Sequence, residues 1–137
     1  MTRTARSTRT AAAGIGVIAL LMLSGCSTEP DYCSQLASSE AAYDNLANTD
    51  VLTEGTDTLS ERYDTFADEI DQLLGSAQAE FADESDAVRA AVDQLGGVVE
   101  SAADLNLGEA AQQLEPALSS LQSSTTALFT AVTDACQ

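Results

Sequence analysis

Residues 114–137 read LEPALSSLQSSTTALFTAVTDACQ, and this stretch decides the fold. Leu114, Leu118, Leu121, Thr125, Leu128, Val132 and Ala135 recur at alternating steps of four and three. On a helix of about 3.6 residues per turn, that spacing lays one mostly apolar stripe along one side. Asn106-Leu107-Gly108-Glu109 reads as the cap that starts this helix. Pro116 interrupts it. An interior Pro removes a hydrogen bond and crowds the turn before it, at a cost of ~3 kcal/mol or a kink. Residues 109–115 are therefore expected as an angled first segment.

Three more stripes of the same period lie upstream. Tyr32, Leu36, Ser39, Tyr43 and Leu46 mark a helix that starts at Pro30-Asp31 and runs to about Asn48. Residues 49–56, with Asp50, Gly55 and three Thr, read as a loop. Thr58-Leu59-Ser60-Glu61 matches a capping box, and Leu59, Tyr63, Phe66, Ile70, Leu73 and Ala77 follow as the second stripe. The third is Phe81, Ser85, Val88, Val92, Leu95, Val99 and Ala102, with a break expected between Gly75 and Asp83. Gly96-Gly97 falls inside it, where it either bends the helix or lets another approach closely. A mean period of 3.5 favours long helices crossing at about +20°, the packing of antiparallel bundles. Few aromatics and scattered β-branched residues argue against strands. The fold class is thus all-α, an up-down antiparallel four-helix bundle.

The beginning of the chain reads as an address. Arg3, Arg6 and Arg9 precede an apolar run from Ala11 to Leu23. Thirteen residues are too few to span a bilayer, which takes roughly 20, but they suit a secretory signal. Leu23-Ser24-Gly25-Cys26 closes the run. These four residues resemble a lipobox, and residues 1–26 together resemble the signal of bacterial lipoproteins. With no Lys and abundant Ala, Asp and Thr, the chain looks like an actinobacterial-type envelope lipoprotein. The resemblance implies cleavage before Cys26, a diacylglyceryl thioether on its sulfur and acylation of the new amino group. Residues 1–25 are then signal peptide, 26–30 a short tether and 31–137 the helical domain. It also implies a lipid-anchored, extracytoplasmic place on the outer face of a cytoplasmic membrane. Membrane lipid, reached through acylated Cys26, is the first expected partner, and each lipid methylene buried contributes about 0.8 kcal/mol.

Export puts Cys33 and Cys136 in an oxidising compartment, where a bridge is expected. Disulfide Cα atoms lie within about 7 Å. In an up-down bundle the first start and the last end meet only if the helix count is even. Three helices of ~20 residues would part them by about 30 Å. Four helices and a Cys33–Cys136 bridge therefore support each other. Closing a loop of about 100 residues contributes on the order of 4 to 5 kcal/mol by loop entropy, often less in practice. Two thiolates without His make a poor zinc set, so no metal is expected.

Beyond residue 25 the 22 acidic residues face only Arg62 and Arg89, a net charge of −20. Such a surface repels nucleic acid and anionic membrane faces. Asp57, Glu61, Asp64, Asp68 and Asp71 repeat the four-three spacing two positions ahead of the second apolar stripe, so they are placed on the opposite, outer face. That row is either a solvated face or a binding stripe for cations, a cationic small molecule or a cationic peptide. Asp83-Glu84-Asp86 reads as turn and cap chemistry, and no EF-hand pattern occurs. The chain has no His and no Lys, and Gly14-Ile15-Gly16, far from a phosphate loop, sits in the signal. A carboxylate hydrolase would need two acids converging in a cleft. The expectation is no enzyme and no cofactor, but an interaction or envelope-organising module for an unknown envelope protein.

Overall fold

The computed structural model describes residues 29–137. The signal, the lipobox Leu23-Ser24-Gly25-Cys26 and most of the tether lie outside the described residues. Four helices follow in order: α1 (Asp31–Ala47), α2 (Val51–Ala77), α3 (Ala82–Ala102) and α4 (Leu107–Ala135). They form a bundle in which α1 packs on α2 and α3 on α4. Contacts between α2 and α3, α1 and α4, and across the diagonal between α2 and α4 complete it, while α1 and α3 stay apart. The Cys33–Cys136 disulfide joins the two ends, with Cα atoms 5.8 Å apart.

The four stripes build the core. Leu46, Leu59, Phe66, Ile70, Leu73, Val88, Leu95, Leu121, Leu128 and Val132 are 0–1% exposed. Each large side chain so buried contributes about 1.5–3 kcal/mol relative to exposure. Ala42, Ala77, Ala91, Ala102, Ala110 and Ala117 fill the remaining seam positions. Their small size lets helix backbones close in where the aromatics are few. Three seam positions are polar. Ser39 donates to the Glu69 carbonyl across the α1–α2 interface, and Thr125 donates to the Leu121 carbonyl one turn back. The Ser85 hydroxyl is buried with no hydrogen-bond partner.

Two expectations are corrected. The second helix starts at Val51, seven residues before the expected Thr58 cap. Asp50 is its N-cap: the side chain accepts from the Leu52 amide, and Glu54 reaches back to the Asp50 amide. Gly55, at φ 85° and ψ 171°, then breaks the helix for one residue. Those angles belong to a region that only glycine enters freely. Thr58 sits past the break, and its hydroxyl donates to the Glu54 carbonyl instead of capping. The second correction is Pro116, through which α4 runs as one helix. Pro116 and Gln112 both lie on the exposed face of α4, so the hydrogen bond lost at the Gln112 carbonyl falls on the solvent side and not in the core. The Asn106 cap is as expected, its side chain accepting from the Glu109 amide and donating to the Glu109 carboxylate.

The paired glycines of α3 divide in role. A Cβ on Gly96 would lie 2.5 Å from the Tyr63 Oη, whereas Gly97 meets nothing within 4 Å. Tyr63 is held there because its hydroxyl donates to the Val92 carbonyl. Ala at either position gains the same helix propensity, up to about 1 kcal/mol. Gly97→Ala is expected to stabilise by that amount, and Gly96→Ala to fall below it by about 1–3 kcal/mol through overpacking. Urea unfolding of the two variants side by side measures the difference. By the same method, the Cys33→Ala/Cys136→Ala double variant is expected to lose about 2–5 kcal/mol.

Candidate functional site

The α1–α2 corner is tied by one cation. Arg62, on the first full turns after the Gly55 break, donates to both carboxylate oxygens of Glu54, at 2.7 and 3.2 Å. The same guanidinium donates to Thr49 Oγ1 and to the Asn45 carbonyl. It thus joins the end of α1, the corner and the first turn of α2. That turn is aimed so that Val51 enters the core, 6% exposed, while Leu52 stands 60% exposed.

Beside the corner, α1 and α4 leave a groove of about 820 Å3. Tyr43 and Ala47 of α1, Val51 and Leu52 of α2, and Ala111, Leu114 and Leu118 of α4 supply its apolar wall. Asp44, Asp50 and Glu115 bring three carboxylates, and no basic residue lines it. Cys33 lies in the first turn of α1 and Ala47 at its end, so the groove sits about 20 Å along the bundle from the disulfide. Leu107, 41% exposed, lies one turn before Ala111 and continues the wall towards the α3–α4 turn. Leu52 and Leu107 are the exposed large hydrophobics among the described residues, and both stand at this pole.

Tyr43 and Tyr63 sit where the seams meet solvent, and Tyr32 is buried. Tyr43 packs edge-on against Phe66 and Phe129, with ring centroids 6.0 and 6.3 Å away. Burial pushes its phenol above the ordinary value; Thr125 opposes by hydrogen bonding, and the nearby Asp44 charge adds to the rise. At the disulfide pole, Tyr32 donates to Glu80 at 2.6 Å and meets Phe81 edge-on. That hydrogen bond is the main reason its phenol is raised, with burial and the Glu80 charge behind it. Tyr63 is raised by burial first, then by the charges of Asp93, Asp64 and Glu100.

Asp57, Glu61, Asp64, Asp68 and Asp71 all lie exposed on the outer face of α2. They form a row that shares no pocket: Glu61 borders a small cleft against α1, Asp64 another against α3, and none lines the groove. Among the described residues no group of three or more His, Cys, Asp or Glu is placed to hold a metal ion. Among the same residues, no helix is long and apolar enough to cross a membrane. The sequence reading did not single out Leu52, Leu107 or the groove. The signal for them is the α4 stripe carried back past Leu114 to Ala111 and Leu107, beside a corner whose Asp50 and Glu54 cap a turn ahead of Gly55. Comparison with known proteins returns no matching family model, no matching curated protein and no matching solved structure.

The raised phenols carry a pH dependence. Each folded-state pKa lies above 10.0, so folding favours the protonated ring. The stability this contributes is complete below about pH 10 and lost as pH rises through the folded values. With no Lys in the chain, tyrosines are the described side chains that titrate between about pH 9 and 12. The urea midpoint is expected to hold steady from pH 7 to 9 and then fall. The ultraviolet signal of tyrosinate should rise at higher pH in the folded protein than in urea.

Proposed function

We propose that this protein is a lipid-anchored, non-enzymatic helical bundle on the outer face of a cytoplasmic membrane, serving as a protein-interaction or envelope-organising module. The anchor is Cys26, its sulfur carrying a diacylglyceryl thioether and the chain cut just ahead of it at the Leu23-Ser24-Gly25-Cys26 lipobox. The observation that carries the reading is the polarity of the bundle. The chain enters α1 five residues after Cys26, beside the Cys33–Cys136 bridge, while the groove and both exposed leucines lie at the other pole. A tether this short holds the disulfide pole against the bilayer and turns the groove towards the envelope. The net charge of −20 supports an upright stance, since an acidic body is repelled by anionic lipid. The absence of His and Lys from the sequence, with acids spread along every helix, supports a binding role over catalysis.

Wild-type protein is expected in the membrane fraction, with its unprocessed precursor accumulating under globomycin. Cys26→Ala should abolish processing at this site and acylation while leaving the helical circular dichroism of the bundle intact. Labelled fatty acid incorporated equally into wild type and Cys26→Ala would remove the anchor from the proposal.

A further inference from the structure

We infer that the groove between α1, the α1–α2 corner and α4 docks a basic, amphipathic helical segment of a partner protein. This inference rests on the interaction-module reading and gives it a site and a ligand chemistry. Ala111, Leu114 and Leu118 give the groove a wall of about 10 Å, two helical turns; Leu107, one turn outside the lining, carries the same face to about 16 Å, and Leu52 stands at the groove's edge. That length and an apolar wall edged by polar side chains suit the apolar face of a short amphipathic helix laid into a groove, anchored at positions three and four apart. The rim selects the charge. Asp44, Asp50 and Glu115 stand around the floor with no Lys, Arg or His in the lining. Arg62, the basic residue nearest the corner, already holds Glu54, Thr49 and the Asn45 carbonyl. An acidic helix would bring its charges against three carboxylates that no side-chain cation offsets, Asp50 being held by the Leu52 amide, whereas Lys or Arg beside the apolar face would meet them.

The other occupants fit less well. A second copy of the chain carries the same charge of −20 and would be repelled. The chain's own entry into α1 lies about 20 Å away, at the disulfide pole. Exposure also singles out this pole. Leu52 and Leu107 have the highest fractional exposure of the large hydrophobics among the described residues, and both border the groove or its extension. Their exposure contributes nothing to the core, and burial against a partner would return it.

The test uses the full chain, in phosphatidylcholine nanodiscs if it partitions to membrane and in buffer if it does not. The question of the anchor is thereby kept apart from the question of the groove. The probe is a fluorescein-labelled 18-residue amphipathic helix of Leu and Lys. A Leu/Glu peptide of the same pattern and a Lys/Ser peptide of the same charge serve as comparators, and empty nanodiscs are subtracted. Saturable binding of the Leu/Lys peptide is expected, at least about tenfold tighter than the Lys/Ser peptide, with none of the Leu/Glu peptide. Leu52→Ser/Leu107→Ser changes two exposed side chains and leaves the core and the net charge alone. It is expected to weaken binding about tenfold or more, by the loss of apolar burial. Neutralising the outer row with Glu61→Gln/Asp64→Asn/Asp68→Asn should change it less than about twofold. Equal binding of the Leu/Lys and Lys/Ser peptides, or a larger loss from the outer-row variant than from the leucine pair, would overturn the inference. Either result would leave a diffuse acidic surface as the binding element. No binding of the Leu/Lys peptide would overturn it as well, without touching the fate of Cys26.

Discussion

The closure of the bundle by Cys33 and Cys136 is the constraint on which the rest of the structure depends. A bridge between the first turn of α1 and the residue after α4 is met by an even number of antiparallel passes. It also compensates for a thin interface. α1 packs extensively on α2 and α4 on α3, but the α1–α4 seam is narrower than either. Its lower part is fixed by the covalent bond, and Tyr43 wedged against Phe129 fixes its middle. Its upper part is free to remain a groove.

The periodic part of this architecture was legible in the sequence, because a helix that buries one side must repeat apolar residues every three or four positions. Leu59 through Ala77 and Leu114 through Val132 follow that rule, and so the helix count, the helix faces and the disulfide could be read together. The α1–α2 corner was not legible for a definite reason. Two cap signals compete there, Asp50 with Glu54 and Thr58 with Glu61, and both are chemically sound. The outcome depends on Arg62, one turn after Thr58, which binds Glu54 and Thr49 through the folded corner. It depends as well on Gly55, whose backbone angles let the chain leave and re-enter the helix within one residue. These contacts exist only once the corner is assembled. Pro116 misled for a related reason: its usual cost assumes a carbonyl shut away from water, and on α4 the affected turn lies on the exposed face.

Ser85 marks the opposite case, where a residue fits the pattern and the chemistry objects. It takes a seam position between Phe81 and Val88 and is fully buried, but its hydroxyl has no partner. Ser39 and Thr125 hold equivalent seam positions and find carbonyls. The four-three rule reads position and volume and is blind to whether a small polar group will be satisfied. A desolvated hydroxyl left alone costs about 1–3 kcal/mol. The core carries that cost here, where Ala would fill nearly the same space.

The charge of the molecule bears most directly on how it recognises anything. Both arginines beyond the signal are committed to turns: Arg62 at the α1–α2 corner, and Arg89 to Gln78 and Asp86 beside the α2–α3 turn. The acids therefore face solvent without cations to answer them, on the outer row of α2 as much as around the groove. That field is densest over α2, with seven acids in 27 residues against three in 29 on α4, so it draws a basic partner without seating it in any one pocket. It raises the rate of encounter and weakens with salt, but gives little orientation. Orientation has to come from a surface that differs in kind. Among the described residues that difference is concentrated at one pole, where Leu52 stands in water at the margin of the groove and Leu107 one turn beyond its apolar wall. Attraction over the whole surface sets how often a partner arrives; apolar contact at the groove sets how long it stays.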